Sequence, residues 1–211
     1  MESALRGPVP SDLKVIETVG LSPDGDVARL EAHLARAEIT CFTFGFAFNR
    51  GQAVDALSAI KSDVDLRVRM TWGADGFDIT HMAKGVVPDV WRLAIHEERL
   101  HSNDAWLQVK TTQRKLYDTS RANLADGIDE WLFLNEQDHV CEGTITNVFV
   151  RFERALLTPP LTNGLLPGVL RQSLLDEGVV KEGIVTTDML HSADEIFVGN
   201  SLRGLIKAKL V

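Results

Sequence analysis

Alternating hydrophobic and polar residues predict strands in the first half of the chain, and helical spacing predicts the helices between them. Residues 13–21 and 65–72 alternate with a period of two, as half-buried strands do. Over residues 30–45 the apolar positions recur every three or four residues, which predicts an amphipathic helix. Residues 54–60 indicate a second helix, and residues 90–96 a further strand.

The second half of the chain also mixes strands and helices. One helix is predicted to follow Lys110–Lys115 and to run through residue 124. Another covers residues 167–178, with Pro167 in its first turn and Gly178 at its C-terminal end. The predicted strands are residues 131–134, 141–152, 154–158, 183–190 (a strand followed by a turn) and 193–201.

These elements indicate an α+β protein of two lobes. Residues 97–106 are polar and lack periodicity, so we place a linker at about 99–106. The interpretation is an N-terminal α/β lobe over residues 1–98 and a C-terminal lobe over residues 107–211.

Composition excludes several functional classes. The 211 residues carry a formal charge of −8 without a basic stripe, which argues against nucleic acid as a partner. No run of 18 apolar residues occurs, so no membrane span is expected. Cys41 and Cys141 form no CxxC pair and no metal-ligand spacing, so we expect reduced thiols, a cytoplasmic location and no metal site.

A few residues of the second half could hold a phosphorylated carbonyl compound. Lys110 ends an alternating segment, where a lysine beside buried residues can act as a nucleophile. Glu142 offers a carboxylate beside small residues. The segment GLLPGVLR starts a helix, whose free N–H groups favour a phosphate, and the loop at 199–201 could add Ser201. Taken singly, each of these features has a plain structural alternative. A lysine at the end of a strand is commonly solvated, and loops of small residues are commonly ordinary turns.

Together with their order, these segments resemble the class IV aminotransferases, the fold-type IV pyridoxal-phosphate (PLP) enzymes. The resemblance covers roughly residues 13–206, and the run EGTITNVF followed by TPPL and GLLPGVLR is its most specific part. The matching segments are LEAHLAR (30–36), KTTQRKLY (110–117), DGIDEWLFLNEQDHVCEGTITNVF (126–149), LLTPPLTNGLLPGVLR (156–171) and ADEIFVGNSLRG (193–204).

The resemblance implies a fold with a small N-terminal α/β lobe and a barrel-like C-terminal lobe, PLP as cofactor, and a homodimer. It implies that Lys110 forms a Schiff base with PLP and moves the substrate proton. It further implies that Glu142 pairs with the pyridine nitrogen and that Arg36 binds the phosphate. The remaining cofactor positions that it implies are Val169, Leu170 and Ser201, with Thr146 and Asn147 beside Glu142.

Substrate-binding residues are less well defined. Glu17 and Thr18 fit the end of the family's GDGxFE segment, whose glycines this chain does not show. Arg69 lies where some relatives bind a substrate carboxylate, with Arg67 as the competing position; a surface arginine is the plain alternative. Tyr117 is interpreted as structural.

Three functions remain open at this point. The TTQR and NSLRG segments favour a lyase similar to aminodeoxychorismate lyase, which eliminates pyruvate to give 4-aminobenzoate. The first alternative is a branched-chain or D-amino acid aminotransferase. The second is a non-catalytic relative.

Overall fold

A computed structural model describes residue 5 and residues 9–211 of the chain, which form two compact units. Unit 1 contains the described residues up to Val86 and the segment 109–113. Unit 2 contains residues 87–108 and 114–211.

Unit 1 is an antiparallel sheet of order β1–β2–β3 with two helices. The predicted alternation is confirmed, because Val68 and Met70 are fully buried while Arg67 and Arg69, which alternate with them, are half-buried. Helix α1 packs on β1 and ends at Phe44, followed by the cap residue Gly45, whose φ of 71° suits glycine. The elements are β1 (Lys14–Leu21), α1 (Leu30–Phe44), α2 (Arg50–Ala59), β2 (Leu66–Gly73) and β3 (Gly76–Ala83).

Unit 2 contains a closed barrel of six strands, which confirms the barrel-like lobe. The ring runs β10–β11–β4–β5–β6–β7 and closes because β7 also pairs with β10, from Asn147 opposite Gly199 to Arg151 opposite Glu195. Strands β8 and β9 extend the sheet beyond β7. The strands are β4 (Val90–Leu100), β5 (Glu130–Asn135), β6 (Val140–Gly143), β7 (Asn147–Phe152), β8 (Ala155–Thr158), β9 (Lys181–Glu182), β10 (Glu195–Asn200) and β11 (Gly204–Leu210).

Apolar side chains of the ring form the main core of unit 2, and three helices accompany it. Leu93, Leu132, Val148 and Val198 are fully buried members of this core. The helices are α3 (Lys115–Ala122), α4 (Val169–Asp176) and α5 (Thr187–Ser192), with 3-10 turns at Ala105–Gln108 and Leu161–Asn163.

The division of the chain differs from the predicted linker at 99–106. Strand β4 continues to Leu100 and pairs with β5 and β11, so residues 87–98 belong to unit 2. Lys110 was predicted in the C-terminal lobe, yet the segment 109–113 belongs to unit 1. The reason is strand pairing, since Ile16 N donates to Lys110 O at 2.8 Å.

Three local predictions also differ from the structure. Residues 187–192 are helical instead of a turn, because the Thr186 side chain caps the N–H of Met189. Pro167 precedes α4, whose N-cap is Gly168. The predicted strand 141–152 is interrupted at residues 144–146.

Across the described part of the chain, every helix is too short or too polar to span a bilayer. The same residues contain no cluster of His, Cys, Asp or Glu able to hold a metal ion.

Candidate active site

The predicted site residues fall into two groups, one in each unit. Unit 1 contains Glu17, Thr18, Arg36, Arg69 and Lys110. Unit 2 contains Glu142, Thr146, Asn147, Val169, Leu170 and Ser201.

Lys110 lies on a short strand beside β1. Ile16 N donates to Lys110 O and Thr112 N donates to Lys14 O, both at 2.8 Å, with Val15 opposite Thr111. In this antiparallel pairing Lys110 is directly opposite Ile16, so the two side chains share a face of the sheet. Lys110 is half-buried there, beside the fully buried Ile16.

The face that carries Lys110 is polar along the neighbouring strands. Thr18 lies two residues from Ile16 and is paired with Arg69, which is paired in turn with Thr80. Since side chains alternate along a strand, these residues share the face of Lys110, and Arg67 and Thr71 do as well. The structure therefore places Lys110, Thr18 and Arg69 on one face of the sheet.

The opposite face holds a buried charge cluster on Glu17. Arg36 donates from Nε to Oε1 and from Nη2 to Oε2 of Glu17, each at 2.8 Å. His33 Nδ1 lies 2.6 Å from Oε2, and Glu17 is fully buried. Burial alone raises the pKa of Glu17, but the charge and hydrogen bonds of Arg36 and the contact of His33 lower it to about 2.

This cluster changes the interpretation of Glu17. Both of its carboxylate oxygens contact α1, on the sheet face opposite Lys110, so its predicted substrate role has no support in the geometry. Its observed contacts instead orient the guanidinium of Arg36. His33 is buried in the same cluster and contacts Glu17.

Glu142 lies on β6 and is almost fully buried. Tyr117, on α3, donates its hydroxyl to Glu142 Oε1 at 2.7 Å. Burial first, then the charge of Glu142 and this hydrogen bond, raise the pKa of Tyr117 far above its usual value. Tyr117 is therefore a protonated donor at neutral pH.

Glu130 organises the loop that follows Glu142. It is fully buried and accepts from Thr144 N at 3.1 Å, Ile145 N at 3.2 Å and Thr146 Oγ1 at 3.1 Å. Arg121 lies 3.4 Å from the same carboxylate. The Thr146 hydroxyl thus contacts the protein itself, and its predicted contact with a cofactor stays a prediction.

Asn147 fastens the loop before α4. Its amide donates to Leu166 O at 3.0 Å, and a Cβ at Gly168 would lie 1.9 Å from its Oδ1. None of the described side chains caps α4, and its first turn lacks acidic residues. The N–H groups at Val169 and Leu170 therefore form the positive end of a helix, suited to an anion.

Ser201 follows β10 close to this helix. A Cβ at Gly199 would lie 3.0 Å from Leu170 Cδ2, which shows how closely the 199–201 loop approaches the start of α4. Ser201 Oγ is buried and has no hydrogen-bond partner among the described residues. Asn200 holds the loop by donating to Ile145 O at 3.0 Å. A buried hydroxyl without a partner among the described residues suits a phosphate oxygen.

Sequence reasoning missed Tyr117, Glu130 and Arg114 as parts of this arrangement. Arg114 was interpreted as a lyase feature of the TTQR segment, but its Nη2 donates to Thr144 O at 2.8 Å and its Nε to Asp118 at 2.8 Å. A glutamate directly before the apolar run WLFLN was the available signal for Glu130, because a charge there needs buried partners.

Comparison with known proteins identifies similar chains. The family model "Amino-transferase class IV" matches residues 14–211. A crystal structure of a "putative amino-acid aminotransferase" from Mesorhizobium loti is 40% identical, with a TM-score of 0.87 over 95% of this chain and 100% of that one.

Two further comparisons add to this result. A protein of Schizosaccharomyces pombe named "putative aminodeoxychorismate lyase" is 26% identical over 202 residues, which are 89% of this chain and 86% of that protein. A hypothetical aminotransferase from Mycobacterium tuberculosis, solved in a PLP-bound form, has the same fold. It is 18% identical with a TM-score of 0.79, over 93% of this chain and 81% of that one.

Proposed function

Since the chain belongs to the amino-transferase class IV family, we propose that it eliminates pyruvate from aminodeoxychorismate, with Lys110 as the residue that moves the proton. The protein is a PLP-dependent enzyme acting on small molecules. Its substrate and the roles of its residues are the proposal.

The chain's own groups fit PLP. Ser201 Oγ and the N-terminus of α4 offer donors for the phosphate, and Glu142 offers a buried carboxylate for the pyridine nitrogen. Arg36, held by Glu17, is proposed as a further phosphate ligand. Lys110 offers the amine that anchors the cofactor.

The observation that carries the substrate proposal is the polar face beside Lys110. Arg67 and Arg69 lie two positions apart on β2, so both side chains are on this face. Thr18 and Thr80 pair with Arg69 from the two neighbouring strands. Aminodeoxychorismate has two carboxylates, and arginine is the side chain best suited to bind them. A branched-chain amino acid would need aliphatic side chains at these positions, so this face supports the anionic substrate.

In the proposed elimination, Lys110, Glu142 and Arg69 have different roles. Bound PLP supplies an aldehyde for amines and a ring that accepts an electron pair. Lys110 Nζ removes the proton from the substrate carbon that carries the amine. The bond from the neighbouring ring carbon to the enolpyruvyl oxygen breaks. The proton taken by Lys110 ends on the methylene carbon of the leaving enolpyruvate, so the products are 4-aminobenzoate and pyruvate. Glu142 favours this proton removal by keeping the ring nitrogen protonated. Arg69 orients a substrate carboxylate.

Transamination of an amino acid is the second candidate, favoured by the printed name of the Mesorhizobium loti protein. In that reaction Lys110 would move the same proton. The amino group would stay on bound PLP, and water would release the keto acid. The third possibility is a non-catalytic role. It would require that borohydride reduction of the purified protein with PLP attaches no cofactor to Lys110.

The test is the purified enzyme with aminodeoxychorismate, following 4-aminobenzoate by chromatography and pyruvate by a coupled assay. We expect equal amounts of both products, and none with Lys110→Ala. Arg69→Gln should lower kcat/KM about 10- to 100-fold, the value of a charged hydrogen bond. Arg50→Gln, a surface arginine of α2 paired with Glu31, is the matched control. Amino acids that convert the cofactor to its amine form, without product from aminodeoxychorismate, would refute the lyase and support the transaminase.

We also propose a homodimer, on the resemblance to the family. Light scattering should give the mass of two chains, and the mass of one chain would contradict it. The two buried, free cysteines support a reducing, cytoplasmic location.

A further inference from the structure

Tyr117 contacts Glu142 through a partly buried hydrogen bond of 2.7 Å. Its ring stands edge-on to Phe133, with ring centres 5.2 Å apart, and the Arg114 guanidinium lies 5.5 Å from its centre. The ring is thus fixed on two sides, and its hydroxyl points at one oxygen of one carboxylate.

Ring packing does not explain why residue 117 carries a hydroxyl. A phenylalanine would make the same contact with Phe133, so the oxygen is needed only for its polar contact. Because its raised pKa keeps Tyr117 protonated, the hydroxyl donates to Glu142 at every working pH. A hydrogen bond to a buried carboxylate is strong and restricts that side chain to one orientation.

The same helix also holds the residues next to Glu142. Arg114, the N-cap of α3, donates to Thr144 O at 2.8 Å, two residues beyond Glu142. Helix α3 therefore fixes both the carboxylate of Glu142 and the backbone that follows it.

We propose that Tyr117 is a positioning residue, which orients the Glu142 carboxylate towards the pyridine nitrogen of the cofactor. The proposal rests on the role assigned to Glu142 under the proposed function. Tyr117 itself touches neither substrate nor cofactor in this role, so its effect passes through Glu142.

A double-mutant cycle on the dissociation constant of PLP tests this coupling. We expect Tyr117→Phe to weaken PLP binding about 5- to 30-fold, and Glu142→Gln at least as much. In the double variant, Tyr117→Phe should add less than about a twofold change, because its partner is already altered. Ser120→Ala is the matched control: it removes a buried hydroxyl of α3 that contacts His96, and should leave binding within about twofold.

Two results would overturn the proposal. One is a Tyr117→Phe effect that persists in full on the Glu142→Gln background, which would make Tyr117 a general structural residue. The other is unchanged binding in Tyr117→Phe while Glu142→Gln binds weakly. If Glu142→Gln itself binds PLP normally, the assignment of Glu142 fails first, and this proposal fails with it.

A second readout needs no cofactor. Tyr117 is the only tyrosine of the chain, so the ultraviolet absorbance of tyrosinate reports on this residue alone. In the cofactor-free protein, Glu142→Gln should lower the pH midpoint of tyrosinate formation by about one unit or more, since it removes a negative charge beside the hydroxyl. A wild-type midpoint at or below about pH 10, the value of a free tyrosine, would contradict the contact.

Discussion

Glu17 is the centre of a buried charge cluster, and its replacement by glutamine should destabilise the protein strongly. Glu17→Gln removes the charge that faces Arg36 and His33 but keeps the size of the side chain. Arg36 is only 15% exposed, so its charge would lose its partner in a largely dry environment.

Two routes give the same magnitude. Removing one partner of a buried ion pair costs about 3–5 kcal/mol. The pKa of Glu17 falls from 4.5 to about 2, and at about 1.36 kcal/mol for each tenfold change in proton affinity this is worth about 3 kcal/mol. For a chain of this length the melting temperature should fall by about 6–12 °C.

The pH dependence gives a sharper test. Because folding lowers the pKa of this group, its stabilising effect is complete above about pH 5 and is lost as the pH falls towards 2. The difference in unfolding free energy between wild type and Glu17→Gln should therefore shrink between pH 5 and pH 3.

The assay is urea unfolding followed by circular dichroism at several pH values. Glu31→Gln is the matched control, since Glu31 lies on α1, the helix that carries Arg36 and His33, but is 81% exposed. It should change the free energy of unfolding by less than about 0.5 kcal/mol. A loss below about 1 kcal/mol in Glu17→Gln, or a difference independent of pH, would refute the reasoning.

Three further predictions concern unit 2. Glu130→Gln should lower the free energy of unfolding by about 2 kcal/mol or more and speed amide exchange at residues 144–146, whose donors it accepts. Unchanged exchange would contradict this. Ser201→Ala should weaken PLP binding about 2- to 10-fold in a dialysis assay, with stability unchanged because the hydroxyl has no partner among the described residues. Gly168→Ala should weaken PLP binding at least about tenfold, because its Cβ would meet Asn147; Gly85→Ala, with open space around it, should not.

The sequence predicted those elements whose spacing repeats. The alternation over 13–21 and 65–72 located β1 and β2, and helical spacing located α1 to within a residue at its C-terminal end. Closure of the barrel was implied only by the resemblance. It depends on the pairing of β7 with β10, which joins residues more than 40 positions apart. Local patterns carry no information about such contacts.

The candidate site was predictable to the extent that motifs mark it. Short segments of small and polar residues are what predict Glu142, Val169 and Ser201 as site residues. The contacts that orient them were not, because Tyr117 and Glu130 act through tertiary hydrogen bonds to residues 25 and 14 positions away. The burial of Glu17 could not be predicted for the same reason, because its partners Arg36 and His33 lie on α1, 16 or more positions away in the sequence.

The order in which the barrel strands occur along the chain has a consequence for biosynthesis. Strand β4 is made early, but its neighbour β11 is the last strand of the ring to be made, and the two pair in parallel. During translation the edges of β4 and β10 that face β11 stay open until residues 204–210 leave the ribosome. Pairings between such distant segments form slowly, and open strand edges attract other chains. The yield of native protein from a cell should therefore depend on how long this interval lasts and on how well chaperones shield those two edges.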